Sequence, residues 1–213
     1  MIQLDLQLQL NKKLLKIYFK NILKSSVEKF VTFIKKMIGI DETELNMVLS
    51  KCRKKTVPKG KLVLKKGQIA GQYFFILSGG LRFFYEGQTA ENTTWVVFEN
   101  EFFTEISSLN PQKPTRFNII AIEDTELIVI DKKDMDFLYG YIPVWQEFGR
   151  KIWEETCVRM IDQILKFQTL TAEERYLEFV STPEILQKIP VKQLASVLGI
   201  TPNALSRIRK NIR

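Results

Sequence analysis

Apolar positions change period several times along this chain. From Val27, the residues Phe30, Val31, Ile34 and Ile38 form a helical stripe that Gly39 ends. Asp41 with Glu44 resembles a capping box and opens a second helix through Leu45, Val48, Leu49 and Cys52. Residues 56–134 then switch to short β segments. These are Leu62 to Leu64, Tyr73 to Leu77, Leu81 to Tyr85, Trp95 to Phe98, Phe117 to Ile122 and Glu126 to Ile130. Turns fall at Gly67, Ser78-Gly79-Gly80 and Glu123-Asp124, a rhythm that predicts a sandwich or barrel of jelly-roll type. Met135 to Tyr141 reads as a short helical turn closed by Pro143, and Val144 to about Phe167 as one long helix. In that helix Trp153, Cys157, Met160, Ile164 and Phe167 follow the period of about 3.5 residues of a coiled-coil seam. Ile161 and Leu165 add a second strip. Two apolar faces predict one contact with the sheet domain and one with a partner; a one-sided core helix is the alternative.

The last forty residues carry a denser pattern. Thr171 and Glu174 form a capping box for a helix over Ala172 to Val180, packed through Tyr176, Leu177 and Val180. Ser181-Thr-Pro183 breaks it and Pro190 marks the next start. In VKQLASVLGITPNALSRIRK, Leu194, Ala195 and Leu198 share one helical face, and Gly199 supplies a left-handed stop. Thr201 offers an N-cap oxygen, and Pro202 sits where a missing N–H costs nothing. Beyond it Ala204, Leu205, Ile208 and Ile212 fall on one side, with Asn203, Ser206, Arg207 and Lys210 on the other. This is a helix-turn-helix whose second helix presents an amide, a hydroxyl and two cations, groups suited to base edges and phosphates in a major groove. Thr201, Asn203, Ser206, Arg207, Arg209, Lys210 and Arg213 are the expected DNA contacts.

Charge strengthens that expectation. The chain has 213 residues and a net charge of +8, which favours an anionic partner. Residues 1–66 carry 16 basic and 5 acidic side chains, whereas residues 67–134 carry 5 and 10, so the sheet block is an improbable DNA surface. From Ile185 to Arg213 there are six Lys or Arg and no acid. Residues 1–26 read as a basic extension: an alternating stretch, then a Lys-rich amphipathic one. A solvated helical appendage is the default, with a nucleic-acid arm or a helix packed on the body as alternatives.

Histidine is absent, which removes the commonest general base and metal ligand. Cys52 and Cys157 lack metal-ligand spacing, and no nucleophile elbow or paired-carboxylate motif stands out. Neither an enzyme, a metal site nor a cofactor is expected. No apolar run approaches the roughly 20 residues of a membrane span, and no signal peptide shows, so a cytoplasmic location is expected.

Particular residues in the β block carry a resemblance. Lys59 to Gly67 (KGKLVLKKG), followed by Tyr73 to Leu81 (YFFILSGGL), resembles the cyclic-nucleotide-binding fold, with Gly60, Gly67 and Gly79 at its turns. Phe103-Thr-Glu-Ile106 resembles that family's Phe-Gly-Glu-Leu phosphate-binding cassette, and Ala121 to Ile130 its closing strand. With the helix-turn-helix downstream, the chain from about Val27 resembles bacterial transcription regulators of the cyclic-AMP receptor protein/Fnr type. The resemblance implies an effector pocket at Thr104, Glu105, Ile106, Thr115 and Arg116, with Glu105 taking a ribose hydroxyl. It departs from the family where Thr104 replaces the cassette glycine. It departs again where the cassette's arginine and serine align with Thr115 and Arg116, a shift that turns the arginine to the opposite strand face unless a bulge restores it. A degenerate pocket, or an effector other than cyclic AMP, is therefore expected.

The expected architecture is α+β: a jelly-roll β-barrel of cyclic-nucleotide-binding type, a long dimerisation helix and a C-terminal helix-turn-helix. Its divisions are a basic extension (1–26), the jelly roll with lead-in helices (27–134), the dimerisation helix (135–168) and the DNA-binding domain (169–213). Trp153, Cys157, Met160, Ile164 and Phe167 are the expected dimer interface. No β-wing is expected after the recognition helix. The expected function is a homodimeric, sequence-specific transcriptional regulator that binds double-stranded DNA, with RNA polymerase as a candidate partner and its effector unidentified. A cyclic-AMP-responsive regulator and a ligand-sensing signalling protein that does not bind DNA are the alternatives, with a cupin-like enzyme as a remote third.

Overall fold

The computed structural model describes residues 27–87, 90–181, 186 and 188–212. Expectations placed on residues 1–26, on Pro183 and on Arg213 lie outside those residues. Helix α1 (27–37) and helix α2 (Glu42–Ser50) lead into two four-stranded antiparallel sheets. Asp41 caps α2 as expected, its Oδ1 accepting from Glu44 N at 2.8 Å while Glu44 Oε2 accepts from Asp41 N.

One sheet runs β1 (Cys52–Val57), β8 (Thr125–Asp131), β3 (Gln72–Ser78), β6 (Phe102–Phe103); the other runs β2 (Leu62–Leu64), β7 (Asn118–Ala121), β4 (Gly80–Glu86), β5 (Glu91–Phe98). Strands β3 and β8 are buried on both faces, which explains their unbroken apolar runs. Phe74, Ile76, Leu127 and Val129 meet Leu81, Val97 and Ile119 of the other sheet in the core of the sandwich. The alternate residues Tyr73, Phe75, Leu77, Ile128 and Ile130 form a second core under the helices. That core includes Phe30 and Ile34 of α1, Leu138 of α4 (Lys132–Tyr141), and Trp145 and Phe148 of α5 (Pro143–Thr169). The rings of Trp145 and Phe148 stack at 4.3 Å. The cassette helix α3 (Ile106–Leu109) follows β6.

A third core belongs to the C-terminal helices α6 (Ala172–Val180), α7 (Val191–Val197) and α8 (Pro202–Asn211), through Tyr176, Ile189, Leu194, Ala195, Leu198 and Leu205. It rests on the sandwich through Ile122, with Val96 and Phe98 packed against it. Thr93 N donates to Ser196 Oγ at 2.7 Å, and Lys188 lies 3.0 Å from Glu123.

Several expectations are corrected. Cys52 is not in α2, which stops at Ser50; it opens β1, an edge strand reading CRKKTV. Charged side chains are tolerated there because an edge strand has one open flank. Strand β5 begins at Glu91, four residues before Trp95, because its polar first half pairs with β4 rather than with the core. The segment at Met135 is a full helix from Lys132.

Candidate nucleic-acid interface and ligand pocket

The turn between α7 and α8 is built from local chemistry. Gly199 has φ +71°, and a Cβ there would stand 3.1 Å from the Phe167 ring, so backbone and space both call for glycine. Ile200 N donates to Ala195 O at 3.0 Å, a closing bond of Schellman type. Thr201 Oγ1 accepts from Ala204 N at 3.2 Å, and Pro202 is the first residue of α8. Ala195 and Leu205 are fully buried between the helices. Arg175 reaches across from α6, donating to Leu170 O and Leu198 O with its guanidinium 4.6 Å from the Phe167 ring. The motif is thereby tied to the end of α5.

This packing leaves Asn203, Ser206, Arg207, Arg209 and Lys210 exposed, as is Thr201. Among the described residues none of the three cations has an ion-pair partner. Ser206 Oγ donates to Pro202 O at 3.0 Å, so its proton is engaged and the exposed hydroxyl keeps its acceptor capacity. Lys188, by contrast, is drawn into the acidic edge of the sandwich at Glu123 and Glu99. The docking pair Ser196 and Thr93 had no signal in the sequence, since neither residue type nor spacing marks it.

The cassette residues separate into two cavities. Glu105 is buried and caps α3: its Oε1 accepts from Ser107 N at 3.1 Å and from Ser107 Oγ, while its Oε2 has no partner. Glu105 lines a cavity of about 230 Å³ with Val63, Leu64, Gly71 and Phe74. Thr104 and Ile106 face the other way, into a cavity of about 370 Å³ between the sandwich and α5. Thr115 and Arg116 line neither. Thr115 is buried and its Oγ1 accepts from Phe117 N; Arg116 is exposed, 6.0 Å from the Phe117 ring. Among the described residues the buried cation of the β domain is Arg82, which no motif in the sequence marks. It is held by Glu91 at 2.6 Å and by Thr93 Oγ1 at 3.1 Å, on the outer face of its sheet. Among the described residues that line the cavity of Glu105, none is a cation.

Of the five expected interface residues, Trp153, Cys157 and Met160 turn a flank to the larger cavity and Phe167 lies under Arg175. Ile164 is exposed, together with Val158, Ile161 and Leu165, each between 50 and 57%. Burial pushes the Cys52 thiol up to about 12, so it is no nucleophile. Among the described residues no cluster of acids and cysteines could hold a metal, and no helix is long and apolar enough to cross a membrane.

Residues 54–140 match the family model of the cyclic nucleotide-binding domain. A cyclic AMP receptor protein of Thermus thermophilus is 28% identical over 109 residues, covering 50% of this chain and 49% of that protein. The match thus spans about half the relative's length. Among solved structures, a chain from Eubacterium rectale assigned to the crp/fnr family of transcriptional regulators has a TM-score of 0.65 at 14% identity, covering 81% of this chain and 83% of that one. The c-di-GMP-responsive global regulator CLP of Xanthomonas campestris has a TM-score of 0.62 at 18% identity, with 81% and 91% covered.

Proposed function

We propose that this chain, whose residues 54–140 match the family model of the cyclic nucleotide-binding domain and whose fold is similar to that of a crp/fnr-family regulator, is a homodimeric, sequence-specific transcriptional regulator. The observation that carries the reading is the free face of α8. Asn203, Ser206, Arg207 and Lys210 stand exposed on a capped helix whose opposite side is buried, and the two cations have no ion-pair partner among the described residues. Asn203 and Ser206 reach base edges; Arg207 reads a guanine or a phosphate; Arg209 and Lys210 add phosphate contacts.

The partner is a second copy. Val158, Ile161, Ile164 and Leu165 form an exposed apolar strip along the C-terminal half of α5, a feature that monomers rarely leave to water. Pairing α5 with its symmetry mate covers the strip and presents two copies of α8 to one duplex. The division into a sensor domain (27–134), a dimerisation helix (135–168) and a DNA-binding domain (169–213) follows from these roles, and none of the three calls for enzymatic chemistry.

Selection from a pool of random duplexes tests the reading. An inverted repeat with half-sites about one helical turn apart is the expected product; a pool that stays unenriched by folded protein contradicts it. A cyclic-AMP-responsive regulator is a second reading, favoured by the unpartnered Glu105 oxygen in its cavity. No described residue lining that cavity supplies the cation that a desolvated phosphate needs, and no heat is expected on titration with cyclic AMP.

A further inference from the structure

We propose that Arg175 is the positioning residue that sets which half-site spacing the regulator accepts, by locking the recognition unit at one angle to α5. The inference deepens the dimeric regulator reading above and rests on it. In that reading two copies of α8 meet one duplex, so their separation depends on how each unit sits on its own α5. The chain passes from α5 to α6 through Leu170 and Thr171, both with extended backbone. Rotation about those two residues would swing everything downstream. Side chains must therefore hold the angle.

One guanidinium grips both sides of the joint. Leu170 is the C-cap of α5 and Leu198 the C-cap of α7. Arg175 donates to the Leu170 carbonyl at 2.6 Å through one terminal nitrogen and to the Leu198 carbonyl at 3.0 Å through the other. Carbonyls at a helix C-terminus lack an intrahelical partner and carry the negative end of the dipole, so a cation suits both. The guanidinium also lies 4.6 Å from the Phe167 ring, and a Cβ on Gly199 would stand 3.1 Å from that same ring. Contact therefore runs unbroken from α5 through α6 to the turn before α8. Arg175 Nε is buried without a partner, a cost that a residue chosen for stability alone would avoid. The two carbonyls meet different nitrogens of a planar fork, a geometry that the point-like ammonium of lysine does not reproduce.

Two other ties are the rivals. Lys166 of α5 and Glu178 of α6 pair at 2.7 Å, but their side chains are 40% and 44% exposed, and such pairs hold weakly. Thr93 N donates to Ser196 Oγ at 2.7 Å, but that bond joins α7 to the sandwich rather than to α5.

The test is anisotropy of the full chain on the inverted repeat it selects, and on the same repeat with one base pair added between the half-sites. The added pair turns one half-site by about 35° around the duplex axis, which a rigid joint does not follow. Wild-type protein should favour the selected spacing. Arg175→Lys should lose about tenfold of that preference, the worth of one hydrogen bond to a charged group. If that variant does not fold, Phe167→Leu decides, with an expected loss of about threefold for the cation–π contact. Glu178→Ala and Ser196→Ala should keep the wild-type ratio. Both duplexes weakened alike by Arg175→Lys would make Arg175 an ordinary structural residue and overturn the proposal. An equal loss of preference in Ser196→Ala would overturn it too, by placing the lock on the sandwich. A folded wild-type chain that binds no duplex contradicts the regulator reading itself, whereas a preference that survives Arg175→Lys contradicts this inference alone.

Discussion

Arg82 and Arg207 are the same side chain put to opposite uses. Arg82, 4% exposed, is clamped by Glu91 and Thr93, with its guanidinium 4.0 Å from the Phe84 ring. Arg207 stands in water on α8, without an ion-pair partner among the described residues. A buried guanidinium must be matched inside the protein or it destabilises the fold. One in water can wait for a phosphate or a guanine at little cost. The two regions therefore divide the positive charge of the chain into a structural part and a recognition part. Net charge alone cannot make that division.

Substitutions sharpen the contrast, the largest effect first. Glu91→Ala leaves the Arg82 guanidinium buried without its carboxylate, and urea denaturation should show a loss of about 3 kcal/mol. Arg207→Ala should leave that stability unchanged and weaken binding to the selected duplex by about 2 kcal/mol, read by anisotropy. Arg82→Met should cost only about 1 kcal/mol, because the methionine packs while half-exposed Glu91 returns to water. A larger loss than that of Glu91→Ala would show that the pair, rather than the orphaned cation, dominates. Lys188→Ala removes the partly exposed pairs to Glu123 and Glu99 and should cost about 0.5 kcal/mol in the same denaturation.

What the sequence discloses follows the distance over which each region is assembled. The helix-turn-helix is legible because Thr201, Pro202, Gly199 and the Leu194–Ala195–Leu198 face act within a few residues of one another. Strands β3 and β8 are legible because burial on both faces makes them uniformly apolar. Strand β1 was not, since CRKKTV takes its place from pairing with β8, and Cys52 continues the apolar spacing of α2 by coincidence. The larger cavity was not legible either. Its walls come from positions as far apart as Tyr73 and Met160, and only the fold brings them together. The cassette was readable as a motif, yet which cavity each residue faces depends on alternation about Glu105.

The central claim, that α8 docks on a duplex through its free cations, is tested most directly by the salt dependence of affinity for the selected duplex. Log affinity against log salt should fall steeply for the wild-type chain. Replacing Arg207, Arg209 and Lys210 together by alanine should make the slope shallower by about 0.9 for each phosphate that these side chains neutralise. A slope identical in the two proteins would contradict docking through α8 and place the DNA contacts, if any, elsewhere on the chain.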